Sequence, residues 1–124
     1  MTQPLALVLY EKLLPGSQVA NCLRDLGYRV QTLGDAESLV AIAEQEKPLL
    51  VLADLESSRK NICATIASLK TRPSTRHLPV IAFAGESEKE LQKAGREAGA
   101  TLVVSESGLL NQLEQLLDQV LHVE

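Results

Sequence analysis

The chain has 124 residues, a formal net charge of −4 and 45% hydrophobic side chains, enough to bury one core without metal or disulfide staples and too apolar for a disordered chain. Its acidic balance, with no Lys/Arg cluster or interleaved aromatics, argues against a direct nucleic-acid footprint. No apolar run reaches the ~20 residues that span a bilayer, and Met1-Thr2-Gln3-Pro4 lacks the basic and long apolar segments of a secretory signal, so one cytoplasmic domain over residues 1–124, with no membrane contact, is expected.

Predicted strands and helices alternate along the chain. Leu5 to Leu9 reads as a short buried strand. Pro15 and Ser17 open a helix in which Val19, Cys22, Leu23 and Leu26 recur at helical spacing, and Gly27 supplies a left-handed stop. Tyr28 to Leu33 alternates in part, as a strand near a sheet edge does. Asp35 caps a second helix with Leu39, Ile42 and Ala43 inward, and Pro48 forces its end. Leu49-Leu50-Val51-Leu52-Ala53-Asp54 is the most continuously apolar run, the mark of a central parallel strand buried on both faces. After the polar loop Glu56-Ser57-Ser58-Arg59-Lys60 comes a helix with Ile62, Cys63, Ile66 and Leu69 inward, and Thr71 to Thr75 is its exit turn.

Leu78 to Ala84 is the fourth predicted strand, with Pro79 near its start, where a ladder donor is dispensable. Gly85 breaks it. Ser87 and Glu90 have capping-box spacing for a helix whose Leu91, Ala94 and Ala98 face inward and which Gly99 terminates. Thr101 to Ser105 forms the fifth strand, and Ser107 caps a final helix with a broad stripe of Leu109, Leu110, Leu113, Leu116, Leu117, Val120 and Leu121. Cys22 and Cys63 fall within apolar helical patterns and read as buried free thiols in a reducing compartment.

Five strands alternating with five helices through right-handed crossovers give an α/β fold, a doubly wound five-stranded parallel sheet of flavodoxin-like topology. The strand order expected is 2-1-3-4-5, with Leu7, Leu9, Val51, Leu52, Val80, Ile81, Val103 and Val104 in the core. An open sheet of this kind places its chemistry at the carboxyl ends of the strands, which singles out Asp54. No Gly-x-Gly-x-x-Gly or phosphate-loop motif follows the first strand. His77 and His122 have no ligand partner at useful spacing, and no Ser-His-Asp or Cys-His set is present. A lone aspartate supports one stoichiometric transfer rather than turnover, so the chain reads as a non-enzyme.

Together, the first strand and the helix ending at Gly27, Leu52-Ala53-Asp54-Leu55, Leu78-Pro79-Val80-Ile81-Ala82-Phe83-Ala84 and Ala98-Gly99-Ala100 resemble the receiver domains of bacterial response regulators, the CheY-like family, over nearly the whole chain. The resemblance implies a phosphoacceptor at Asp54 and a Mg²⁺-binding acidic pair after the first strand. It further implies a Ser/Thr after the fourth strand, an aromatic switch residue on the fifth, and a Lys at the end of the fifth. Here the acidic pair falls on Tyr10 and Glu11, the hydroxyl position on Ala84, the aromatic on Val103, and the Lys on Glu106 or, one residue earlier, on Ser105.

Those departures act on one reaction. Glu11 and Asp54 with carbonyls and waters make at best a weak Mg²⁺ site. A transferring phosphoryl group needs fixed positive charge at its oxygens, and losing an ammonium removes about 3 kcal/mol of attraction at an effective dielectric of ~20. Ala84 offers no hydroxyl, and Val103 has no ring to swing. The reading is therefore an atypical receiver acting as a signalling interaction module without a required cofactor. Its expected partner is another protein or a second copy, docked through the fourth helix, fifth strand and fifth helix. A phosphorylatable receiver using Asp54 and Mg²⁺, and a flavodoxin-like small-molecule binder, are the alternatives.

Overall fold

Successive side chains of a strand point to opposite faces of its sheet, so a strand apolar at every position must be covered on both sides. The computed structural model describes residues 4–10, 13–33, 36–55 and 62–121, and three of its strands meet that condition. They are β1 (Leu5–Leu9), β3 (Leu50–Asp54) and β4 (Val80–Ala84), buried at every residue. β2 (Arg29–Leu33) and β5 (Leu102–Ser105) are only half-buried and form the edges. All pairings are parallel and the order is β2-β1-β3-β4-β5, as expected.

The alternation divides the core into two layers. Leu5, Leu7, Leu9, Val51, Ala53, Val80, Ala82 and Ala84 pack with Leu39 and Ala43 of α2 (Ala36–Glu46) and with Ile62, Ile66 and Leu69 of α3 (Ile62–Thr71). Leu91 and Ala98 of α4 (Lys89–Ala98) lie half-buried against the same layer. On the other face Ala6, Val8, Leu50, Leu52, Ile81 and Phe83 meet Val19 and Leu23 of α1 (Leu13–Asp25). Leu109 of α5 (Glu106–Asn111) and Leu113 and Leu117 of α6 (Leu113–Leu121) complete that layer.

Several local expectations shift. The first helix starts at Leu13, ahead of Pro15, which sits in the first turn where an absent N–H breaks no helical bond. Leu26 turns outward, 39% exposed, and Leu49 precedes β3 at 42%. Val103 and Val104 are half-buried because β5 is an edge, and Cys22 and Cys63 are half-buried free thiols, with burial pushing the Cys63 thiol up. The Ser87/Glu90 box does not form: α4 starts after Glu88 without a side-chain cap. Its most buried residues are Gln92 and Gly95 rather than Leu91, Ala94 and Ala98.

The final helix begins two residues early, with Ser105 rather than Ser107 as its cap, and divides at Gln112. Gly27 and Gly99 do adopt left-handed φ of 95° and 110°, the conformation that lets a helix stop and the chain enter the next strand. Asp35, the loop from Glu56 to Lys60 and His122 lie outside the described residues.

The turn after α3 has one buried polar anchor. Thr75 is fully buried, and its hydroxyl donates to the Leu69 carbonyl at 2.7 Å, satisfying an acceptor that the end of a helix leaves open. Thr75→Val keeps the shape and removes the donor. Chemical denaturation is expected to show a loss of about 1–2 kcal/mol, whereas Ser74→Ala, at an exposed position of the same turn, is expected to cost less than ~0.5 kcal/mol.

Candidate functional site

Parallel strands end on the same side, so the carboxyl edge gathers Tyr10, Asp54, Ala84 and Ser105 from four of them. β1 leads to β2 on one side and β3 starts the other half, which makes the β1/β3 boundary the topological switch point. Leu9 pairs with Ala53, Asp54 with Phe83, and Ala84 with Ser105. Asp54 therefore stands at the crevice, with Tyr10 the next residue on the neighbouring strand.

Asp54 is only 1% exposed. Tyr10 is half-buried, its backbone N–H donating to Leu33 at 2.8 Å and its ring packed on the Phe83 layer. It fills core space rather than presenting a metal ligand. Glu11 lies outside the described residues, and among the described residues no group of three His, Cys, Asp or Glu side chains could hold a metal ion. Mg²⁺ favours an octahedron of hard oxygen donors. Among the described residues at this edge, Asp54 is the one carboxylate on a strand end, and Tyr10 beside it is packed into the core.

The positions expected to read the aspartate are occupied by packing groups. Ala84 is fully buried in the α2/α3 layer. Val103 packs on that layer too, where α4 comes close at Gly95. A Cβ on Gly95 would stand 3.1 Å from Leu55 Cδ1 and 3.4 Å from Val103 Cγ2, so the bare glycine lets the helix settle on the residue after Asp54 and on β5. The Ser105 hydroxyl accepts from Gly108 N–H at 3.1 Å and caps α5. Glu106 is the first residue of α5 and half-buried; neither residue carries a cation.

Three further contacts fix the β4–α4 loop. Gln92 Nε2 donates to the Gly85 carbonyl at 3.0 Å, and Glu88 N–H reaches the same oxygen at 3.0 Å. Ser107 Oγ donates to Glu86 Oε2 at 2.6 Å, joining the loop to α5. The loop is thus tied from α4 and from α5. Sequence reading missed Gln92 because a polar residue carries no apolar signal on a helix face. Ser105 was read only as the last residue of the strand, and it is also the cap of the helix that follows at once.

Gln92→Ala is expected to cost about 1 kcal/mol and to speed amide exchange at 85–88. Ser107→Ala removes an exposed contact, and its stability change is expected to stay below ~0.5 kcal/mol. Hydrogen exchange with denaturation of both variants checks the pair.

No protein-family profile matches the chain. A curated relative, the transcriptional regulatory protein PdtaR of Mycobacterium tuberculosis, is 30% identical over 95 residues, which cover 76% of this chain and 45% of that protein. The chain thus spans less than half the length of that relative. Among solved structures, the receiver domain of NtrX from Brucella abortus is 23% identical with a TM-score of 0.84, covering 96% of this chain and 99% of that one. The receiver domain of a sensor histidine kinase from Pseudomonas aeruginosa, solved with a magnesium ion in its active site cleft, is 18% identical with a TM-score of 0.88, covering 98% of this chain and 100% of that one.

Proposed function

We propose that this chain, which has the fold of the response regulator receiver domains, works as a signalling protein-interaction module whose binding state does not depend on phosphorylation of Asp54. The observation that carries the reading is the state of the carboxyl edge. Asp54 is 1% exposed, and the Ser105 hydroxyl is already used to cap α5. A phosphoacceptor must meet its donor in line, with positive charge around the transferring oxygens. Asp54 is buried, and Tyr10, Ala84 and Ser105 at the neighbouring strand ends bring no cationic side chain of their own.

Binding rather than turnover is part of the same proposal, because an aspartate acting as acceptor supports one stoichiometric transfer. The relative's designation as a transcriptional regulatory protein supports a regulatory setting in which this module contacts another protein or a second copy. The face formed by α4, β5 and α5 is the proposed contact. Its edge strand is half-buried along its whole length, and α4 presents Lys89, Glu90, Lys93, Arg96 and Glu97 to solvent, a charged rim beside a partly apolar strip.

Incubation with Mg²⁺ and a small acyl phosphate, followed by intact-mass measurement, tests the reading. No phosphoryl mass gain is expected, and Asp54→Asn is expected to leave oligomeric state and partner binding unchanged. A stoichiometric gain abolished by Asp54→Asn, with a change in assembly, would restore an ordinary phosphorylation switch.

A further inference from the structure

The end of α2 and the turn after α3 meet at the amino edge of the sheet, where β3 starts, at the opposite end of that strand from Asp54. They enclose a cavity of about 410 Å³, within the range of about 300–1,000 Å³ typical of small-molecule sites. Ala43 and Pro48 line it from one wall, Pro73 and Leu78 from the other. Each wall thus brings a proline, whose ring fixes the local backbone.

The walls are braced without a ligand. Arg72 Nε and Ser74 Oγ both donate to Glu44 Oε2, at 2.8 and 2.9 Å, tying the turn to α2. Within the turn, Arg76 N–H donates to the Arg72 carbonyl at 2.8 Å, and Lys70 Nζ holds the Leu78 carbonyl at 2.9 Å. A cavity shaped in advance costs little ordering on binding.

Charge selects what enters. Glu44 lines the cavity but is paired with Arg72. Lys47, on the same wall, has no ion pair among the described residues, and His77 brings a ring N–H from the opposite wall. Lys47 is also the one non-glycine residue at positive φ among the described residues, at 51°. Glycine is the default where a helix stops in that conformation, as at Gly27 and Gly99. A side chain carried there at the cost of backbone strain points to a role for that side chain.

We propose that this cavity binds a small organic carboxylate, its flat apolar body against Pro48, Pro73 and Leu78 and its charge received by Lys47 and His77. With Glu44 balanced by Arg72, the single excess positive charge suits a monoanion, whereas a phosphate monoester would set a second negative charge near Glu44. The site uses neither Asp54 nor α4 nor β5, so the proposal stands or falls separately from the phosphorylation-independent reading.

Titration of the full chain with benzoate, followed in amide ¹H–¹⁵N spectra, provides the test. Saturable shifts are expected at 43–47 and 74–78, with a dissociation constant of roughly 1 mM or below. Benzamide, which keeps the shape and lacks the charge, and phenyl phosphate are each expected to bind about fivefold more weakly or worse. Lys47→Gly removes the ammonium and relieves the backbone, and it is expected to weaken benzoate binding about fivefold; its melting temperature verifies that it folds. The proposal is overturned by the absence of saturable shifts, by shifts that fall outside those two segments, by equal affinity for benzamide or phenyl phosphate, or by unchanged benzoate affinity in Lys47→Gly.

Discussion

Every residue of β1, β3 and β4 is buried, and a parallel ladder covered on both faces leaves the chain only its strand ends at which to bring polar groups together. The helices are placed by this constraint. Odd-numbered residues of β1 and β3 require α2 and α3 on one side, and even-numbered ones require α1, α5 and α6 on the other. With order β2-β1-β3-β4-β5, the same constraint brings Asp54 and Tyr10 to the switch point and sets Ala84 beside Ser105. A receiver frame therefore persists whatever side chains stand at its carboxyl edge.

At that edge the substitutions do structural work. Tyr10 joins the Phe83 layer, Ala84 joins the opposite one, and Ser105 caps α5. Gly95 draws α4 down onto Leu55 and Val103, while Gln92 binds the carbonyl at the head of the β4–α4 loop. Each group has a packing or hydrogen-bonding role in the single state described, and a close-packed interior passes between states in discrete steps rather than by gradual deformation. The proposed function rests on this loop, held from two helices next to a buried aspartate, presenting a constant surface.

The fold was legible because its signals are long-range and redundant. A run such as Leu50 to Ala53 admits only a two-sided strand in this context, and Gly27 and Gly99 mark helix ends through a backbone conformation that glycine adopts without strain. Asp54 was legible from its place at the end of that run. What escaped depends on local competition. Ser105 and Ser107 both offer a hydroxyl before the last helix, and the strand–helix boundary decides between them. Ser87 and Glu90 have box spacing, yet α4 begins too late to use it. The buried role of Gln92 and the close approach at Gly95 come from the seating of α4 on β5, which periodicity does not encode. Leu26 follows the apolar spacing of α1 and still faces out, because it lies past the helix end at Asp25.

The central claim is that the carboxyl edge is uncoupled from Asp54 chemistry. The most direct measurement is an amide ¹H–¹⁵N spectrum of the chain recorded before and after adding Mg²⁺ with beryllium fluoride, which mimics a phosphoryl group on a carboxylate. The account predicts that resonances of 85–88, of β5 and of α4 stay in place. Concerted shifts across those three segments, absent in the Asp54→Asn variant, would contradict it.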